Sequence, residues 1–116
     1  MVPQADVRQL STALDDGALV IDVREPFEYA SGHVPGAVPM AMHLVPLHVG
    51  EIPVDRAVFV ICATGNRSWQ VCQYLTERGI TATNVHGGTM AWASAGFAME
   101  TSSADAGVEP IGGAHQ

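Results

Sequence analysis

The chain reads as an α/β domain with a mostly parallel central sheet whose two faces are covered by helices. Two observations predict that class. Short apolar, β-rich runs alternate with segments of helical period, the pattern of strand–crossover–strand units. The clearest of those runs, Ala57–Ile61, has no polar gap, as strands have when both of their faces are buried. A length of 116 residues suits one compact domain.

Taken in order, Val7, Leu10 and Leu14 recur at spacings of three and four, which predicts a helix near residues 4–15. Asp15-Asp16-Gly17 stops it, and residues 18–21 read as a short buried strand. Pro26 opens a short helix carrying Phe27 and Tyr29, because its missing N–H costs nothing in a first turn. Gly32, Pro35 and Gly36 punctuate a loop before a small strand at Ala37–Met40. Residues 43–51 stay ambiguous, a short helix interrupted by Pro46 being one reading. After the strand at 57–61 comes a loop at Cys62–Arg67. A helix follows from Ser68 to Arg78, with Val71, Cys72 and Leu75 inward and Gly79 as terminator. Thr83–His86 is a further strand, and Gly87-Gly88 turns into a last helix that passes Trp92 and ends at Gly96. The domain is expected over residues 1–100. From Thr101 the small and polar residues to 116 read as a flexible tail.

Composition narrows the function classes. With 47% apolar and 15% charged residues the chain is of globular type. Its net charge is −7, and all five basic residues are arginine. No basic run is present, which argues against nucleic acid and against an anionic membrane surface. The absence of lysine removes Schiff-base chemistry. No apolar run approaches the ~20 residues of a membrane helix, and no export signal opens the chain, so a cytoplasmic location is expected. Two cysteines make neither a disulfide framework nor a paired metal knuckle, and free thiols fit a reducing compartment. His43 and His48 stand five apart, off the spacing of a helical metal pair, so no metal is assigned.

The chemistry concentrates at Cys62-Ala63-Thr64-Gly65-Asn66-Arg67-Ser68. In open α/β sheets, sites form where strands end at their carboxyl edge. Small residues after Cys62 let backbone N–H groups turn inward as an anion nest, and Gly65 gives the freedom a tight turn needs. The positive end of the next helix adds to the field, and Ser68 is of helix-capping type. A thiol centred there should ionise more readily than a free one. Arg67 offers a positive fork suited to an oxyanion. A buried packing cysteine would account for Cys62, but not for the glycine, the arginine and the helix start in this order.

That loop resembles the CxxGxRS active-site loop of single-domain rhodaneses, the sulfurtransferase family. Further segments match in sequence order. Val20-Ile21-Asp22-Val23-Arg24-Glu25 with Glu28-Tyr29 resembles the family's first motif, and Gly32-His33-Val34-Pro35-Gly36-Ala37 resembles its GHIPGA signature. Gly87-Gly88, Trp92 and Ala95-Gly96 resemble the closing segment, so the likeness runs over about residues 4–100. It implies a three-layer rhodanese-like fold and a ping-pong sulfur transfer. In that scheme the Cys62 thiolate takes the outer sulfur of thiosulfate or a similar small anionic donor. Sulfite leaves, and the Cys62 persulfide passes its sulfur to a thiol or cyanide. No metal or organic cofactor is implied. Arg67 would bind the donor's oxyanion end. The amides of Ala63, Thr64, Gly65, Asn66, Arg67 and Ser68 would cradle the sulfur.

Rivals share parts of this pattern. A cysteine phosphatase or arsenate reductase would use the same nest and arginine, but in family terms phosphatases of this fold carry a loop one residue longer, with arginine six places after cysteine; Arg67 comes five after Cys62, and the tighter ring suits sulfur. A persulfide relay to a protein partner, or a binding module without catalysis, are the other readings. In family terms a mercaptopyruvate donor usually goes with a CGSGV-type loop, so Arg67 favours thiosulfate. In family terms Asp22 and Arg24 read as buried supports of the loop and sheet, with catalytic acid and base as the other reading, and His33 as a structural histidine, with substrate orientation as its other reading. Cys72 sits about 6 Å up the helix from Ser68, which disfavours a disulfide with Cys62, and reads as core. Trp69 could be pocket rim or packing.

Overall fold

Asp6 determines where the first helix begins. Its carboxylate accepts the Gln9 N–H at 2.8 Å, and the Gln9 side chain accepts the Asp6 N–H at 2.8 Å, a closed capping box. In the computed structural model, which describes residues 1–102 and Ile111, helix α1 therefore spans Val7–Asp15. The helix expected from residue 4 is corrected here. Gln4–Ala5 form a strand, β1, too short to leave a periodic signal. The tail expected at 101–116 lies, apart from Thr101, Ser102 and Ile111, outside the described residues.

The remaining elements follow the alternation closely. Strand β2 (Leu19–Asp22) leads to α2 (Pro26–Ser31) and β3 (Val38–Pro39). The ambiguous stretch resolves into two single 3-10 turns, Met42–Leu44 and Val49–Glu51, around a short helix α3 (Val45–His48). Pro46 sits in the first turn of α3, where no N–H is needed, so it starts the helix rather than interrupting it. Then come β4 (Val58–Ile61), α4 (Asn66–Thr76), β5 (Thr83–Val85) and α5 (Gly88–Ser94). Helix α4 starts two residues before Ser68, because Gly65 takes the cap with φ +111°. Ser68 is thus inside the first turn and does not cap it.

Within the five-stranded sheet the pairings are parallel, in the order β1-β5-β4-β2-β3. Period-2 alternation sends Leu19 and Ile21 of β2 and Val58 and Val60 of β4 to one face, where they meet Val45, Val71, Cys72 and Leu75. Val20 and Ile61 point to the other face, against Val7, Leu10, Tyr29, Val85 and Trp92. Helices α3 and α4 cover the first face; α1, α2 and α5 cover the second. The expected α/β class, with a parallel sheet between two helical layers, is what the chain forms. No described helix is long and apolar enough to cross a membrane.

Leu10, fully buried in the second cluster, tests the packing on that face. Leu10→Ala is expected to lower unfolding free energy by about 2–5 kcal/mol in urea titration.

Candidate active site

Strand β4 is central in the sheet, and its last residue hands the chain to Cys62 at the carboxyl edge. Two contacts fix the strand's exit: Val23 N–H donates to Ile61 O at 3.0 Å, and Thr89 N–H donates to Cys62 O at 2.9 Å. Met90 N–H holds Ala63 O at 3.1 Å in the same way. The first turn of α5 is therefore laid directly on the carbonyls of the cysteine loop. Such an approach requires Gly88. Its φ is +62°, and a Cβ there would stand 2.4 Å from both Cys62 O and Ala63 O.

With its carbonyls tied down, the loop turns its amides inward. Gly65 N–H donates to Cys62 Sγ at 3.1 Å and Ser68 N–H at 3.3 Å, and the Thr64 N–H adds its field. Ser68 Oγ lies 3.2 Å from the same sulfur. Burial, the largest single influence, pushes the Cys62 thiol's pKa up; Ser68's hydroxyl and the amides of Ser68, Gly65 and Thr64 together outweigh it and leave it lowered. This is the arrangement expected of a nucleophilic sulfur held as an anion. Cys62 is only 1% exposed, so a reactant must come to it through the rim of the loop.

Ser68 faces a choice. Its hydroxyl also donates to Asn84 Oδ1, and one proton cannot serve both the sulfur and the amide oxygen at once. Asn84 in turn donates to Gly65 O at 3.2 Å and to the Gln4 side chain at 2.9 Å, tying the loop to β5 and β1.

Arg67 points both terminal nitrogens at one carboxylate, Nη1 to Glu28 Oε1 at 2.8 Å and Nη2 to Glu28 Oε2 at 2.9 Å. Those hydrogen bonds, acting against partial burial, hold the Glu28 carboxyl at about 2. The same pairing raises Arg67, and Cys62 and Asp22 are among the charges that add to it.

Asp22 and Arg24 form a buried two-pronged pair, with Arg24 Nε and Nη2 on the Asp22 carboxylate at 3.0 and 2.9 Å. Arg24 Nη2 also donates to Gly32 O at 2.7 Å. His33 stacks on Tyr29 with ring centroids 3.7 Å apart, and its Nδ1 contacts Tyr29 O at 2.8 Å. These three residues bind β2, α2 and the following loop together. Trp69 is half-exposed beside the loop. Cys72 is fully buried beneath it, its thiol pushed up to about 12 by burial and by the Cys62 charge.

A family model described as a rhodanese-like domain matches residues 6–95. The chain belongs to the rhodanese family. A sulfurtransferase of Allochromatium vinosum is 42% identical over 100 residues, covering 84% of this chain and 94% of that protein. The thiosulfate sulfurtransferase GlpE of Pseudomonas entomophila is 34% identical over 80 residues, 68% of this chain and 73% of that one. Among solved structures, a rhodanese-related protein from Thermoplasma volcanium matches with a TM-score of 0.81 and 26% identity, over 86% of this chain and 99% of its own.

Three members of this rhodanese site escape sequence reasoning. From sequence, Glu28 and Gly88 show only as members of motifs and Asn84 as one residue of a strand, with no contact to the loop implied. A polar residue inside a three-residue strand was the one available signal for Asn84.

Alkylation with iodoacetamide at graded pH should place the Cys62 midpoint below that of the same residue in the unfolded chain. Cys72 should stay unmodified in the folded protein, as read by peptide mass. Gly88→Ala should push α5 off the loop, lowering stability by roughly 2–4 kcal/mol and cutting the Cys62 alkylation rate at neutral pH.

Proposed function

We propose that this rhodanese-type sulfurtransferase moves a sulfane sulfur from thiosulfate, or a similar donor, to a thiol or cyanide through a persulfide on Cys62. The observation that carries the reading is the Cys62 sulfur itself, met by the amides of Gly65 and Ser68 and by the Ser68 hydroxyl. In the first half-reaction the Cys62 thiolate attacks the outer sulfur of thiosulfate. The sulfur–sulfur bond breaks, sulfite leaves with the bonding pair, and a Cys62 persulfide anion remains. The new terminal sulfur carries the charge that the thiolate gave up, so donors already directed inward serve both states. In the second half-reaction an acceptor thiolate or cyanide attacks that terminal sulfur and Cys62 leaves as thiolate.

The roles of the neighbours follow from position. The loop amides from Ala63 to Ser68 hold the transferred sulfur, and Arg67 meets the oxyanion end of the donor. Asp22, Arg24 and His33 keep β2 and α2 in place behind the loop. The chemistry asks for no metal or organic cofactor, since the thiolate is the nucleophile and the loop is the electrophilic support. The name of the GlpE relative supports thiosulfate as donor. A protein thiol as acceptor would make the same second half-reaction a relay.

Incubation with thiosulfate followed by intact mass measurement tests the reading. A gain of about 32 Da, one sulfur atom, is expected; cyanide should remove it, and Cys62→Ser should never acquire it. A protein that gains no mass would be a binding module instead. Hydrolysis of a phenyl phosphate ester without any sulfur adduct would make it a phosphatase.

A further inference from the structure

The sulfur-transfer reading above gives Arg67 the donor's anionic end, yet in the structure that guanidinium is already occupied. Both of its terminal nitrogens rest on the two oxygens of Glu28, the geometry that best satisfies an arginine fork. Glu28 is itself anchored: Oε1 also accepts the Glu25 N–H at 2.9 Å, closing the capping box of α2. The carboxylate is thus held by its own helix and set in front of Arg67, not left to swing in solvent. Arg24, the other guanidinium whose field reaches Glu28, is committed to Asp22 and Gly32 O. The sequence has no lysine to take their place, and the chain's net charge of −7 adds long-range repulsion.

We infer that Glu28 is a selectivity residue, which neutralises the loop's single cation and so favours sulfur donors of low charge, such as hydropersulfides, over dianionic thiosulfate. The inference rests on the Cys62 persulfide chemistry proposed above. A thiosulfate sulfonate has to share or displace a carboxylate held in two hydrogen bonds before it can use Arg67. A hydropersulfide, RSSH, makes no such demand. The Cys62 thiolate attacks its outer sulfur, the S–S bond breaks, and the thiolate RS⁻ leaves with the bonding pair. The proton on the transferred sulfur moves to that thiolate, giving RSH and the Cys62 persulfide anion. One negative charge enters the step and one leaves it, all of it on sulfur inside the amide ring.

Glu28→Gln is the informative variant. The amide oxygen can still accept from Glu25 N–H, so the cap of α2 survives while the charge opposite Arg67 is removed; a thermal melt checks the fold. Persulfide formation on Cys62 is then timed by intact mass with thiosulfate and, separately, with a hydropersulfide whose substituent is uncharged, 2-hydroxyethyl hydropersulfide. The ratio of kcat/KM for thiosulfate to that for the persulfide should rise about threefold to tenfold, the range for a part-exposed charge pair, mainly through a lower thiosulfate KM. In an Arg67→Ala background the same substitution should leave the ratio within about twofold, because the cation it releases is gone.

A second measurement needs only the unaltered protein. Iodoacetate, an anion, and neutral iodoacetamide both alkylate Cys62. The rate ratio of the anion to the neutral reagent should not exceed that of the unfolded chain, and should rise in Glu28→Gln. An unchanged or lower thiosulfate preference in Glu28→Gln, or a marked iodoacetate preference in the unaltered protein, overturns the inference while leaving sulfur transfer intact. Absence of a sulfur adduct with either donor overturns the sulfur-transfer reading and this inference with it.

Discussion

A sulfur anion with almost no contact with water is expensive unless donors surround it, and the end of β4 is organised around that requirement. Burial alone would push the Cys62 thiol up, as it does that of Cys72, ten residues on in the same cluster. The difference between the two thiols is supplied by backbone. Cys72 is inside a helix whose amides are spent on the helix; Cys62 is in a turn whose amides have no other use. The Gly65 cap and the Gly88 approach are both geometric conditions for that turn, one permitting its curvature and one pinning its outer side.

Ser68 shows how finely the support is divided. Its N–H is committed to the sulfur, while its hydroxyl stands between the sulfur and Asn84. When Cys62 is a thiol, the S–H can donate to Ser68 and the hydroxyl to Asn84. When Cys62 is a thiolate, the hydroxyl proton is better placed on sulfur, and Asn84 is left holding the loop through Gly65 O and Gln4 alone. The short N-terminal strand thus has a mechanical link to Cys62 that its two residues would not suggest.

The parallel sheet, the alternation of its later elements and the cysteine loop were legible because they are written in local patterns. Apolar β-rich runs, a proline at a helix start and a cysteine followed by small residues all act over a few neighbours. What could not be read depends on residues far apart in the chain. Gln4 becomes a strand residue only because β5 lies beside it, 80 positions on. Glu28 meets Arg67 across 39 positions, through a fold that no spacing rule encodes. The Ser68 amide was legible as part of the cradle and its hydroxyl was not, since a capping type looks the same whether it caps or turns toward a sulfur. Pro46 shows the converse: a residue usually taken to break helices starts one when it falls in the first turn.

The outer strands of the sheet, β1 and β3, are two residues long, and β3 ends in Pro39, which has no N–H to offer. A parallel sheet buried on both faces has little charge to repel a foreign strand, so its edges are where stray chains would add on. Here each edge offers only two residues to template such growth. One is also short of a donor, so the protein can keep a largely apolar sheet interior without presenting a seed for aggregation.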